Sequence, residues 1–167
     1  MKPVYRLLLG AGLLLFLSRS SFSQERDSLY HPFAPARADI AAAVKTARTT
    51  HRHVLIQVGG NWCSWCLLLQ HFWTSDPILD SVLKADYVLY HLNYSKENEN
   101  LPLLAQYGFP QRFGFPVLLV LDGKGRLIHT QNTGLLEQGR GYNREKVLET
   151  LEQWSPEAID PATYREK

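Results

Sequence analysis

Cysteine is scarce: the 167 residues contain two, Cys63 and Cys66. A zinc centre would need two further ligands beside them. His71 follows in the same stretch, but no histidine pair has H-x3–5-H spacing. Leu67 follows Cys66, so the C-x-x-C-H signature of haem attachment fails. No G-x-x-x-x-G-K-S/T pattern occurs, which removes a phosphate loop. The carboxylates are scattered with no pair spaced for hydrolysis, and no Ser/His/Asp or Cys/His pairing is indicated. Neither a metal nor an organic cofactor is expected.

Acid is missing from the first 23 residues, which carry Lys2, Arg6 and Arg19. An apolar run from Leu7 to Leu17 follows the basic start, and small polar residues lead to Ser21-Phe22-Ser23. A basic start, an apolar core of roughly 7–15 residues and small residues before the cut describe a secretory signal peptide. It is expected at residues 1–23, with cleavage after Ser23. The run is shorter than the about 20 apolar residues that span a bilayer, and an uncleaved membrane anchor is the alternative. No second apolar run is long enough for a transmembrane helix. Without the leader, 15 of the 18 basic residues face all 16 acidic ones, a net charge of −1. Nothing then argues for nucleic acid or an anionic membrane as partner. An exported protein of the periplasm or cell envelope, with one cored domain, is expected.

Residues 24–38 contain Pro32 and Pro35 and no periodicity, and they read as a linker. Ile40, Ala43, Val44 and Ala47 then fall at helical spacing, with Asp39 placed to favour the helix start. His53 to Val58 is a nearly continuous apolar run, as in a strand covered on both faces. Gly59-Gly60-Asn61 releases it into the cysteines, and Cys63 to Trp73 suits a buried helix. Asp76-Pro77 reads as the N-cap and first turn of another helix.

A second strand is expected at Tyr87 to Asn93, a short helix at Leu101 to Tyr107, and a third strand at Val117 to Leu121. Asp122-Gly123-Lys124-Gly125 is a hairpin turn into Leu127 to Gln131, its glycines free to take positive φ. A loop over Asn132 to Tyr142 leads to a final helix capped by Asn143, with Trp154 on its inner face. The pattern predicts one α/β domain over 39–154 and a polar tail over 155–167.

The cysteines stand where strand gives way to helix, in Trp62-Cys63-Ser64-Trp65-Cys66. A bridge enclosing only Ser64 and Trp65 closes too short a loop to be a useful staple, because disulfide stabilisation grows with loop length. A thiol attacks as thiolate, and its pKa falls at a helix N-terminus. Cys63, in the first turn, is therefore the expected nucleophile. Cys66 lies on the same side at about 5–6 Å between Cβ atoms on a regular helix, against the about 3.8 Å a disulfide wants. The less rigid first turn can close that gap, and Cys66 is expected to resolve a mixed disulfide.

Trp62-Cys63-Ser64-Trp65-Cys66 after a buried strand, with Phe115-Pro116 opening a strand that ends in Asp122-Gly123-Lys124-Gly125, resembles the thioredoxin superfamily from Asp39 to Trp154. Trp73-Thr74-Ser75-Asp76-Pro77 is similar to a branch of exported bacterial members, and to the periplasmic C-terminal domain of transmembrane disulfide reductases. The resemblance implies a thioredoxin-like α/β fold, with a central mixed sheet of about four strands flanked by helices. It also implies thiol–disulfide exchange with protein substrates, recharged by a membrane-embedded electron donor. It places a cis-proline beside the dithiol, at Pro116 with Pro110 as the competing position. That leaves the Phe115 backbone free to pair with substrate.

This sequence departs from the family where a buried aspartate usually precedes the first cysteine by six residues, because that position is Gln57, which cannot ionise. His91, at the position of a family lysine, is a candidate for proton transfer with Cys66, its ordinary pKa being about 6.5. The other reading of His91 is a strand histidine hydrogen-bonded to Gln57. Trp62 and Trp65, with Phe109, Phe113 and Phe115, could form an apolar platform for extended polypeptide. A reductase or isomerase of protein disulfides is the expected function. The alternative is a non-catalytic binding module of the same fold, a holdase or assembly factor, favoured by the loss of an acid at Gln57.

Overall fold

Two strands with unbroken apolar sequence must sit at the centre of a sheet covered on both faces, and their side chains divide between two cores. The structure, a computed structural model, describes residues 28–165. The expected leader at residues 1–23 lies outside them. Among the described residues no helix is long and apolar enough to cross a membrane. Helix α1 spans Ala36–Thr49, strand β1 His53–Gly59, α2 Ser64–Ser75, α3 Pro77–Asp86 and β2 Tyr87–Asn93. They are followed by α4 Leu101–Gln106, β3 Val117–Leu121, β4 Leu127–Asn132, the short pair β5 Glu137–Gln138 and β6 Gly141–Tyr142, and α5 Arg144–Gln153. The main sheet has four strands in the order β2-β1-β3-β4. β1 runs parallel to β2 and antiparallel to β3, and β3 pairs antiparallel with β4.

Every residue of β1 and β3 is buried. Val54, Ile56 and Val58 join Val117, Leu119 and Leu121 in a core that α1 and α4 close with Ile40, Ala47, Leu103 and Leu104. The alternate residues Leu55, Leu118 and Val120 face Leu69, Trp73, Leu79, Leu83, Val147 and Leu151 of α2, α3 and α5. Period-2 alternation thus splits one apolar run between two layers, and it puts Gln57 on the side of α2.

Two expected caps form. The Asp76 carboxylate accepts from the Ile78 and Leu79 amides with Pro77 in the first turn of α3, and the Asn143 side chain accepts from the Lys146 amide to start α5. In the β3–β4 turn, Asp122 Oδ1 accepts from the amides of Lys124 and Arg126, each at 2.9 Å. Of its two glycines only Gly125 takes positive φ, at 79°.

The structure departs from the sequence expectation at both ends of the domain. Residues 28–38 are not a linker. α1 begins at Ala36, and Tyr30 is fully buried against the cysteines. The reason is a contact made by one side chain, which periodicity cannot register. The polar tail contains a 3-10 turn over Pro161–Tyr164 and a buried Ser155. His53 is buried with Nδ1 2.9 Å from the Trp154 carbonyl oxygen, and His129 stacks on the Trp154 ring at 4.2 Å.

Candidate active site

Two glycines end β1 because the chain must pass close to the dithiol and its neighbours. A Cβ on Gly59 would stand 2.4 Å from Cys66 Sγ and 2.9 Å from Tyr30 Oη. A Cβ on Gly60 would meet the Trp62 indole nitrogen at 2.4 Å and the Tyr94 carbonyl at 2.7 Å. The Gly60 carbonyl accepts from the Cys63 amide at 3.0 Å, which turns the chain into α2. Cys63 is the N-cap of α2 rather than a residue of its first turn, with φ −91° and ψ 100°. Its carbonyl accepts from the Cys66 and Leu67 amides at 3.0 and 3.2 Å.

Cys63 and Cys66 are joined in a disulfide, their Cα atoms 5.2 Å apart. The extended conformation of an N-cap residue, rather than a distorted helical turn, brings the two sulfurs together. Both cysteines are buried, Cys63 at 5% exposed and Cys66 wholly. The Cys66 amide points at Cys63 Sγ from 3.1 Å. Such a donor, at the positive end of a helix, favours the thiolate of Cys63.

Behind the disulfide lies a polar cluster of which the sequence marked only Gln57. Gln57 Nε2 donates to Tyr30 Oη at 2.7 Å and to the Cys66 carbonyl at 2.9 Å, while its Oε1 has no partner among the described residues. Asn61 holds the Tyr30 backbone from both sides: its Oδ1 accepts from the Tyr30 amide at 3.1 Å, and its Nδ2 donates to the Tyr30 carbonyl at 2.7 Å. Burial pushes the Tyr30 phenol far above its ordinary pKa, so it stays protonated.

His91 is in register with Gln57 across β1 and β2, yet it does not bond to it. Its Nε2 lies 2.9 Å from Gln70 Oε1 of α2, and its ring meets Tyr30 edge-on at 5.4 Å. Desolvation, helped by the neighbouring His31, pushes the His91 pKa down to about 4. Cross-strand register put His91 opposite Gln57, but parallel partners need not share a hydrogen bond, and Gln57 is already committed to Tyr30 and Cys66.

The Phe115–Pro116 peptide is cis, and it is the one cis bond among the described residues, which settles the choice between Pro116 and Pro110. The Pro116 carbonyl accepts from the Thr133 hydroxyl. Among the described residues no hydrogen bond engages the Phe115 backbone. Its ring lies 5.5 Å from Trp62 and 4.7 Å from Tyr94.

The expected aromatic platform divides. Trp62, Phe109 and Phe113 are exposed, whereas Trp65 is half-buried and packs edge-on against Tyr142 at 5.4 Å. A cleft of about 440 Å³ opens beside Trp62 and Tyr94 and runs along Ser95, Lys96, Glu97 and Glu99. Among the described residues no cluster of three or more His, Cys, Asp or Glu side chains is arranged to hold a metal.

A family model described as thioredoxin-like matches residues 35–123. The chain belongs to the thioredoxin-like family. No curated protein matches it. Among solved structures, a disulphide isomerase from Xylella fastidiosa Temecula1 superposes with a TM-score of 0.67 at 21% identity, covering 77% of this chain and 97% of that one. The oxidised C-terminal domain of DsbD from Neisseria meningitidis gives a TM-score of 0.50 at 20% identity, over 71% and 95% of the two chains. A thioredoxin from Thermus thermophilus gives 0.51 at 18%, over 84% and 98%. These likenesses establish the thioredoxin-like fold, with its four-stranded mixed sheet and flanking helices.

Within that fold this thioredoxin-like chain has Gln57 and Tyr30 against its second cysteine, with the exposed Asn61 holding the Tyr30 backbone. Sequence reading found the first and missed the other two. The one available signal was Leu29-Tyr30, an apolar and aromatic pair in an otherwise polar stretch.

Proposed function

We propose that the protein is an exported thiol–disulfide oxidoreductase that reduces or isomerises disulfides in protein substrates. The observation that carries this reading is the Cys63–Cys66 disulfide at the start of α2, with an amide aimed at the outer sulfur and the inner one buried.

In the reducing direction the Cys63 thiolate attacks one sulfur of a substrate disulfide. A Cys63–substrate disulfide forms, and the other substrate sulfur leaves as thiolate. The Cys66 thiolate then attacks Cys63 Sγ, closing the Cys63–Cys66 bond and releasing the second substrate sulfur. The substrate gains two electrons and, through solvent, the two protons that the dithiol gave up. An isomerase uses the first step and its reversal.

Direction depends on how far the Cys63 thiolate is stabilised, since a strongly favoured thiolate makes an oxidant. Here the α2 N-terminus supplies stabilisation, and the inner residues Ser64 and Trp65 add no charge to it. This favours reduction or isomerisation over oxidation. Two structural neighbours are named a disulphide isomerase and an oxidoreductase, which supports disulfide chemistry at this site. Sustained reduction needs an electron donor, and a membrane-embedded dithiol partner fits an exported location.

For substrate contact the reading assigns Trp62, Trp65 and Phe115. Trp62, next to Cys63 in the chain, is an exposed apolar surface, and its neighbouring cleft suits an extended segment. The unpaired Phe115 backbone beside cis-Pro116 offers that segment a strand-like partner.

Insulin reduction tests the reading. Wild type should accelerate the reaction strongly, and Cys63→Ser and Cys66→Ser should abolish the acceleration. Equal rates for all three would leave only a binding module, the reading that Gln57 in place of an acid supports.

A further inference from the structure

A buried thiol that must attack as thiolate needs something to stabilise the charge, and desolvation works against it. Cys66 is wholly buried, and the strand side chain bonded to its carbonyl, Gln57, cannot ionise. His91 is neutral near pH 7, and its Nε2 is engaged with Gln70. That leaves Tyr30.

Gln57 fixes the polarity of the Tyr30 hydroxyl. The Cys66 carbonyl can only accept, so the amide group facing it must be Nε2, and the same nitrogen donates to Tyr30 Oη. Tyr30 Oη therefore receives a hydrogen bond, and its own proton is left to give. No acceptor takes that proton among the described residues, although the side chain is fully buried. An unused buried donor is costly and calls for a partner. Tyr30 Oη and Cys66 Sγ both lie within 3 Å of the point where a Cβ on Gly59 would stand. No hydrogen bond joins them while Cys66 is held in the disulfide, and opening the disulfide frees that sulfur to turn toward the hydroxyl.

We infer that Tyr30 donates a hydrogen bond to the Cys66 thiolate, standing in for an ionisable group behind the dithiol. When Cys66 attacks Cys63 in a mixed disulfide, Tyr30 keeps its proton. The proton lost by Cys66 goes through solvent to the departing substrate sulfur. Asn61 and Gln57 act as positioning residues, one gripping the Tyr30 backbone and the other orienting its hydroxyl. The titratable groups facing this pair are His91 of β2, His31 of the preceding segment through His91, and the Tyr142 phenol of β6. None of them supplies a negative charge at neutral pH.

The inference rests on the dithiol reading of the site, and it is tested on Cys66 itself rather than on turnover. In reduced Cys63→Ser protein, the Cβ signal of isotope-labelled Cys66 reports thiol ionisation against pH. Adding Tyr30→Phe keeps the ring and removes the donor. A hydrogen bond to a charged group corresponds to about a tenfold change, so the midpoint should rise by about one pH unit. An unmoved midpoint in folded Tyr30→Phe protein would overturn the proposal, whatever the insulin assay gives.

Should that variant fail to fold, the wild-type Tyr30 ring signal serves instead. It should shift on reduction and titrate together with Cys66. A signal that ignores both overturns the proposal equally. A merely structural tyrosine would alter stability without moving either titration.

Discussion

At the level of single residues, the site depends on close approach as much as on charge. Gly59 leaves the space that Cys66 Sγ and Tyr30 Oη occupy. Gly59→Ala should therefore destabilise the protein by about 1–3 kcal/mol, the usual cost of overpacking. Gly141→Ala, where a Cβ would meet nothing within 4 Å, should be near neutral in the same urea titration. His91 makes a second prediction. Its folded pKa of about 4 lies below the ordinary 6.5, so the protein holds it neutral and must let it charge on unfolding. Stability from this source is full above about pH 6.5 and is lost as pH falls toward 4. His91→Gln should flatten the urea midpoint across that window. It should also leave the pH profile of disulfide exchange unchanged, because His91 is assigned no proton transfer.

Elements matter here through how they start. α2 is capped by a cysteine, so the cap of the helix and the sulfur proposed to attack are one residue. α3 begins on Asp76, whose carboxylate also meets Arg144 of α5 at 2.6 Å. The hydrogen bond from Arg144, then that from the Leu79 amide, holds this carboxyl below its ordinary value of 3.8. Such a group stabilises the fold above about pH 3.8, and the contribution disappears as pH falls through the lower folded value. Asp76→Asn can still cap α3 but loses the ion pair. It should be less stable than wild type at neutral pH and equal to it in acid, as read from urea midpoints against pH.

Across the whole molecule, what was legible in the chain is what periodicity and turn chemistry encode. β2 and β3 have the expected limits, Asp76 and Asn143 cap the expected helices, and Cys63 with Cys66 falls at the strand–helix junction. The residues that escaped act through single long-range contacts. Tyr30 reaches Gln57 across 27 positions of sequence, and Asn61 reaches back 31 to hold it. Gln70 bonds His91 from 21 positions away, taking the histidine from the partner that strand register implied. No local pattern announces such contacts, because none repeats along an element. Most of the fold could thus be read from the sequence, together with the sulfurs of the site, but not the pocket that governs the inner sulfur.

The proposed function assigns the attack to Cys63 and the resolution to Cys66. Reduced Cys66→Ser protein mixed with a disulfide-bonded protein substrate should accumulate a covalent adduct through Cys63, visible on a non-reducing gel and lost on adding dithiol. Cys63→Ser should form little or none under the same conditions. Adducts on Cys66 equal to or exceeding those on Cys63 would refute that assignment.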